Sequence, residues 1–303
     1  MTASNAPPPP PSDHATAAQV ARVRAALPNL PIHQIRTNHD GLVNDILIVN
    51  DELVFRFPKD ATERADLARE LKVLALVRRF VDAPIPVVEL ATPDFVMYRM
   101  LPGVALHQRT WLACSPTDQV RLATQVGEFL AQLHAIPPVD VTAAGIGAAG
   151  SIRTRDDWLR LYDAVQRELY PLLMGHGREW VEMLFAPVIE ERIDFTVRPT
   201  LIHGDLGPYH LLFDRAMARL TGVLDFGVSG LGDPADDFGN MIAGVGERFL
   251  ARMMDVHPGI APALARARFW AGTLELQWLL GGIRSGDPSW FAVHIGRARD
   301  LNG

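Results

Sequence analysis

Apolar residues recur along this chain with two spacings, and the switch between them divides it. Thr16 to Leu27 carries helical spacing and stops at Pro28. The stretch IHQIRTNHDGLVNDILIVNDELVFRFP then reads as strand, loop, strand, turn, strand, with ILIV and LVFRF flanking the turn composition Asn50-Asp51-Glu52. Thr62 to Phe80 returns to helical spacing, with Leu67, Leu71 and Leu74 on one face, and Pro84-Ile85-Pro86 breaks it. VVELAT and DFVMYRM add two short strands. The first hundred residues therefore predict a small antiparallel sheet with one long helix.

Met100-Leu101-Pro102-Gly103 has linker composition, and beyond it the pattern is mostly helical. Ser115-Pro116 is a helix start, with Ser as cap and Pro in the first helical position. The helix that follows buries Leu122, Val126, Phe129, Leu130 and Leu133 and runs to Pro137. Arg155 to Met174, Arg178 to Ile193 and most of the region after Asp236 are also helical in pattern. The expected organisation is a disordered Pro-rich tail over 1–15, a strand-rich lobe over 16–99 and a helical lobe over 100–303.

Embedded in the second lobe is LIHGDLGPYHLLFDRAMARLTGVLDFG, Leu201 to Gly227. Three apolar runs alternate with His203-Gly204-Asp205, with His210 and with Asp225-Phe226-Gly227. Read as a hairpin of strands, this places Asp205, His210 and Asp225 on one rim. A carboxylate there accepts a proton or orients a hydroxyl. A carboxylate and an imidazole together hold magnesium over phosphate oxygens. Those are the parts of a phosphoryl-transfer site.

HGD, a ligand residue five positions after the Asp, and then DFG resemble the aminoglycoside phosphotransferase family, from about Gly41 to the C-terminus. The likeness is greatest to the 2″-phosphotransferases, which also carry His at the position of His210, and next to the macrolide phosphotransferases. The resemblance implies an α+β, two-lobed, protein-kinase-like fold, with nucleotide on the first lobe and acceptor on the second. It implies Asp205 as catalytic base, His210 and Asp225 as Mg²⁺ ligands, and ATP or GTP as co-substrate. Glu70 pairs with the phosphate-binding basic residue, which falls at Arg56 in VFRFPK, with Lys59 as its rival. Gly41 in HDGLVND matches the phosphate-covering turn. Asp237, in DPADDF, matches an acid that braces the catalytic loop, and His203 is architectural. Asp233, Glu247, Glu275 and Trp278 are candidates for the acceptor cleft, with Trp270 beside them.

Other readings use the same residues. Asp205 and Asp225 each also suit turn caps, and Arg56 alternates with Phe55 and Phe57 like any strand residue. His203, Asp205 and His210 form a possible zinc set of a metallohydrolase, which leaves Asp225, Glu70 and the first sheet without a role. A binding module of the same fold without turnover is a third reading. Residues 145–150 spell GxGxxG, but no βαβ pattern surrounds them. Gly227-Val228-Ser229-Gly230 lacks the last glycine of a nucleophile elbow. Within the kinase reading, a macrolide or a metabolic hydroxyl such as that of choline or homoserine competes with the aminoglycoside.

Composition narrows the partners. With 48% hydrophobic and 21% charged residues over 303 positions, the chain has the makeup of a soluble globular protein. A formal charge of -6 argues against nucleic acid as a partner. One cysteine, Cys114, excludes an internal disulfide or a thiolate zinc site. No apolar window reaches the ~18 residues of a membrane span. A cytoplasmic monomer acting on a small molecule is the expectation.

Overall fold

The structure is a computed structural model that describes residues 13–38, 44–59, 61–150 and 154–286. In chain order its elements begin with α1 (Asp13–Ala26), β1 (Ile35–Asn38), β2 (Asn44–Val49), β3 (Leu53–Pro58) and α2 (Ala61–Val77). Next come β4 (Val88–Ala91), β5 (Val96–Arg99) and β6 (Val104–Ala105). Helices α3 (Gln108–Leu112), α4 (Pro116–His134), α5 (Pro138–Ala143) and α6 (Arg155–Ala164) follow, and a π-helical turn, Val165–Leu169, leads towards α7 (Gly175–Ile189). The last part holds β7 (Thr200–Ile202), β8 (Leu211–Asp214), β9 (Arg219–Val223), β10 (Gly230–Gly232), α8 (Ala235–Gly244), α9 (Glu247–Ala251) and α10 (Ile260–Ser285).

Strands β1 to β5 form one antiparallel sheet in the order β1-β2-β3-β5-β4. The β2–β3 turn works because Asn50 and Asp51 both adopt positive φ, 56° and 54°. That is the backbone of a type I′ hairpin, which Asn and Asp tolerate. α1 closes one face of this sheet: Val23 packs with Leu47, Phe55, Phe57, Phe95 and Met97. The helix begins at Asp13, so residues 13–15 are part of it rather than of the expected tail. The rest of that tail lies outside the described residues.

The second lobe is built around α4. Ser115 caps it by accepting from the Asp118 N–H, and its buried stripe is the expected one, Leu122, Val126, Phe129, Leu130 and Leu133. That stripe joins β8, β9 and α8 in the main core. The far half of α2 belongs to the same core through Val73, Leu74, Leu76 and Val77. A satellite core of Trp158, Phe185, Phe269 and Trp270 links α6, α7 and α10.

The three runs of the 201–227 segment do not form one hairpin. β7 pairs antiparallel with β10, while β8 pairs with β9 and β6 in a separate three-stranded sheet. A Cβ on Gly230 would lie 2.5 Å from the Ala149 nitrogen, so only glycine lets the 147–149 segment bond alongside β10. This is also what the GxGxxG stretch does: Ala149 N–H donates to Leu231 O and Leu231 N–H to Gly147 O, with no βαβ unit around it.

Candidate active site

β7 delivers its chain into a loop that the backbone holds tightly. His203 is fully buried; its Nε2 donates to Leu224 O at 2.9 Å and its Nδ1 accepts the Asp205 N–H at 3.3 Å. Both nitrogens are thereby used, which removes His203 from a zinc set. Gly204 takes φ +83° against Val228, a conformation that favours glycine. Asp205 follows, and the turn Pro208–His210 folds back beside it.

His210 closes that turn. Its Nδ1 lies 2.7 Å from Asp205 O. A carbonyl only accepts, so Nδ1 carries the proton and Nε2 of the neutral ring keeps its lone pair. Nε2 faces Asp225 Oδ2 at 3.5 Å. Asp225 is set there by a left-handed φ of 63° just after β9, and the Leu224 N–H donates to His210 O at 2.8 Å to tie the two together. The same Nδ1 lies 3.8 Å from Asp205 Oδ2. Asp205, His210 and Asp225 therefore do share one rim, assembled by two loops from different sheets.

These groups are electrostatically distinct. Burial pushes the Asp205 carboxyl up, against the pull of His210, His203 and a hydrogen bond from Tyr209. Burial also works against ionisation of Asp225, but His210, Arg56 and His203 outweigh it and hold that carboxyl low. Two carboxylates in one cleft thus differ in basicity, with Asp205 the better proton acceptor.

Across the cleft, Arg56 on β3 donates to Glu70 on α2 at 2.8 Å. Both are buried, Glu70 to 1% exposure. Burial favours neutral arginine, but Glu70 and then Tyr98 more than offset this and raise the Arg56 pKa. Glu70 Oε1 also receives the Phe226 N–H at 3.3 Å, so the pair reaches the Asp225-Phe226-Gly227 loop. Arg69, its neighbour in α2, donates to Gly227 O and Ser229 O of the same loop. Lys59 lies beyond β3, 3.9 Å from Asp45. Gly41 falls outside the described residues.

Asp237, fully buried on α8, accepts the His203 N–H at 2.9 Å and the Gly204 N–H at 2.8 Å. Its Oδ2 also meets His134 Nε2 at 3.0 Å, and His134 Nδ1 meets His257 Nε2 at 3.0 Å. An ionised Asp237 makes His134 the donor at Nε2. Burial is the largest influence on the Asp237 carboxyl and would raise it, but the His134 bond and charge and the contacts with His203 together outweigh it and hold the carboxyl low. Burial and the neighbouring His134 drive His257 down to about 4. Sequence reasoning missed His134, His257 and Tyr209. His134 had a signal: it follows Leu130 by four positions on the buried stripe of α4.

The residues expected in the acceptor cleft scatter. Asp233 is held by both nitrogens of Arg266, at 2.7 and 3.3 Å, and caps the Ala235 N–H. Glu247 is gripped at two points by Arg268. Each carboxylate already has a cation, so neither supplies the free negative field expected of it. Trp270 is buried against Trp158 in the satellite core. Glu275 and Trp278 are half-buried on α10. Among the described residues, no three His, Cys, Asp or Glu side chains converge to hold a metal by themselves. The zinc reading has no set left to rest on.

The chain can now be placed among known proteins. The family model described as "Phosphotransferase enzyme family" matches residues 34–279. The viomycin phosphotransferase of Streptomyces vinaceus is 28% identical over 269 residues, 82% of this chain and 87% of that protein. An APH(2″) enzyme solved with GDP and kanamycin superposes with a TM-score of 0.82 at 26% identity, over 93% of this chain and 97% of that one. A type I macrolide 2′-phosphotransferase shares the fold, with a TM-score of 0.73 at 23% identity over 93% and 96% of the two chains. Matched over most of its length and carrying the two-lobed kinase-like architecture, the chain belongs to the phosphotransferase enzyme family.

Proposed function

We propose that this enzyme transfers the γ-phosphate of ATP or GTP to a hydroxyl of a cationic antibiotic, an aminoglycoside first of all, and so confers resistance. One observation carries the reading: Asp205, His210 and Asp225 stand on one rim facing a buried Arg56–Glu70 pair. The acceptor oxygen attacks the γ-phosphorus, the bridging P–O bond breaks, and the nucleoside diphosphate departs with the electron pair. The hydroxyl proton passes to Asp205, the carboxyl that burial makes the more basic. Arg56, held in place by Glu70, binds phosphate oxygens.

His210 and Asp225 fit a magnesium ion. A lone pair of Nε2 and a carboxylate oxygen face each other at 3.5 Å, two acceptors that a cation reconciles. Two protein ligands are the usual complement for magnesium on a nucleotide, the rest coming from phosphate and water. When bound, the ion would supply positive charge to the phosphate oxygens. The protein's part is to position nucleophile and phosphate and to hold the carboxylate that takes the proton.

The likeness to viomycin phosphotransferase supports a second acceptor, viomycin, of the same cationic character. The arginine-paired Asp233 and Glu247 weaken the case for long-range attraction of such a cation. The deciding experiment offers kanamycin, gentamicin, hygromycin, viomycin, erythromycin, choline and homoserine to the enzyme with magnesium and either ATP or GTP. Phosphorylation of kanamycin, gentamicin or viomycin supports the proposal. Phosphorylation of erythromycin alone, or of a metabolite alone, overturns the acceptor class and leaves the kinase chemistry standing.

A further inference from the structure

The side chain nearest the reacting end of Asp205 belongs to a residue with no assigned role. The Tyr209 hydroxyl donates to Asp205 Oδ1 at 3.1 Å. The other oxygen, Oδ2, is the one turned towards His210, at 3.8 Å. The carboxylate is thus divided. Its Oδ1 is engaged by a phenol, and its Oδ2 is the oxygen left on the His210 side.

Three features hold the phenol there. The ring packs edge-on against His210, with centroids 4.4 Å apart. It also folds back over Gly207, where an added Cβ would lie 2.3 Å from the ring carbon. Gly207 has φ -74° and ψ 156°, a backbone that any residue adopts. A side chain at 207 would therefore displace the tyrosine ring without straining the chain path. Pro208, between them, is pinned against α8: a Cβ on Gly244 would meet its ring at 2.4 Å. Yet Tyr209 keeps 41% of its surface open.

We infer that Tyr209 is a positioning residue: its hydroxyl fixes the rotation of the Asp205 carboxylate so that Oδ2 receives the acceptor hydroxyl, and its open ring edge forms one wall of the acceptor site. This rests on the reading of Asp205 as the base. A carboxylate free to rotate about its last torsion presents the right oxygen only part of the time. A wall made by the phenol also sets how closely a ring-shaped acceptor approaches Asp205, so residue 209 becomes a point of acceptor specificity.

The test needs no knowledge of the antibiotic, because water serves as acceptor. Hydrolysis of Mg-ATP and Mg-GTP by the full chain is measured for Tyr209→Phe, Tyr209→Ala, Gly207→Ala, the double variant Gly207→Ala/Tyr209→Ala and Asp205→Asn. Losing one hydrogen bond to a charged group should lower kcat about 5-fold or more in Tyr209→Phe, with nucleotide KM unchanged. Gly207→Ala should reproduce that loss with the phenol intact, because the new methyl displaces the ring. In the Tyr209→Ala background the same methyl should cost nothing further, a non-additivity that a general structural role would not produce. A Tyr209→Phe enzyme within twofold of the parent overturns the inference. So does a Gly207→Ala loss that persists without the ring. If Asp205→Asn itself keeps its turnover, it is the base assignment that fails. If Asp205→Asn is inactive and Tyr209→Phe is not, only the tyrosine inference fails. Where Tyr209→Phe melts early, the Gly207→Ala pair of measurements decides alone.

Discussion

The two sides of the cleft hold their charges in opposite ways. On the first lobe, Arg56 and Glu70 cancel each other inside the protein, at 10% and 1% side-chain exposure. On the second, Asp205 and Asp225 stay 42% and 46% exposed, with the imidazole of His210 between them. A closed pair satisfies itself and serves as a fixed strut. An open group of acceptors keeps capacity for what arrives: a hydroxyl proton or a cation. Conserving geometry is the work of the first arrangement and reacting is the work of the second.

Removing the proposed proton acceptor tests the open side hardest. Asp205→Asn should cut turnover by about 10² to 10⁴-fold while nucleotide affinity stays near that of the parent. Turnover within threefold would place the base elsewhere. The next effect belongs to the facing acceptors: Asp225→Ala should weaken Mg-nucleotide binding at least ~10-fold by calorimetry, since one of two protein ligands is lost. Equal affinity would sink the magnesium assignment.

The closed side should fail differently. Arg56→Ala leaves Glu70 buried without its partner, a loss of about 3–5 kcal/mol when one member of such a pair is removed. It should therefore lower melting temperature as well as raise nucleotide KM, whereas Lys59→Ala, at a loose pair 3.9 Å long, should change both little. The reverse order would show that the contrast between closed and open sides is drawn in the wrong place.

The smallest effect is one of pH. His257 titrates near 6.5 when unfolded and at about 4 in the fold. Between those values the unfolded chain binds the proton and the native one does not, so stability is full above about 6.5 and falls as pH drops towards 4. His257→Gln removes that titration. Its melting temperature should decline less than the parent's over this window, and parallel curves would remove His257 from the account.

The N-terminal sheet, its hairpin turn and the cap of α4 were legible in the sequence because each has a local cause: alternation, an Asn-Asp turn, a Ser-Pro start. So were the three chemical groups of the rim, whose short spacing leaves few ways to separate them. Their supporting strands were not. Alternation says that a segment is a strand but not which neighbour it pairs with, and β7 takes a partner almost thirty residues on, β10, in place of its neighbour β8. Tyr209, His134 and His257 share a different reason. Each acts through one contact made by the fold, and a single residue carries no period. Asp233 and Glu247 misled because composition counts charges without showing which arginine lies opposite.

Helix α2 has a consequence for how the molecule comes apart. Its middle carries Glu70 to the first lobe's Arg56, while Val73, Leu74, Leu76 and Val77 sit in the main core of the second. A rod gripped by both lobes within a few residues turns them into one melting unit: the small sheet cannot unravel without breaking the Glu70 contact beside its neighbour's apolar core. Heat should meet a single cooperative transition, with the linker at 100–103 contributing none of that cooperativity.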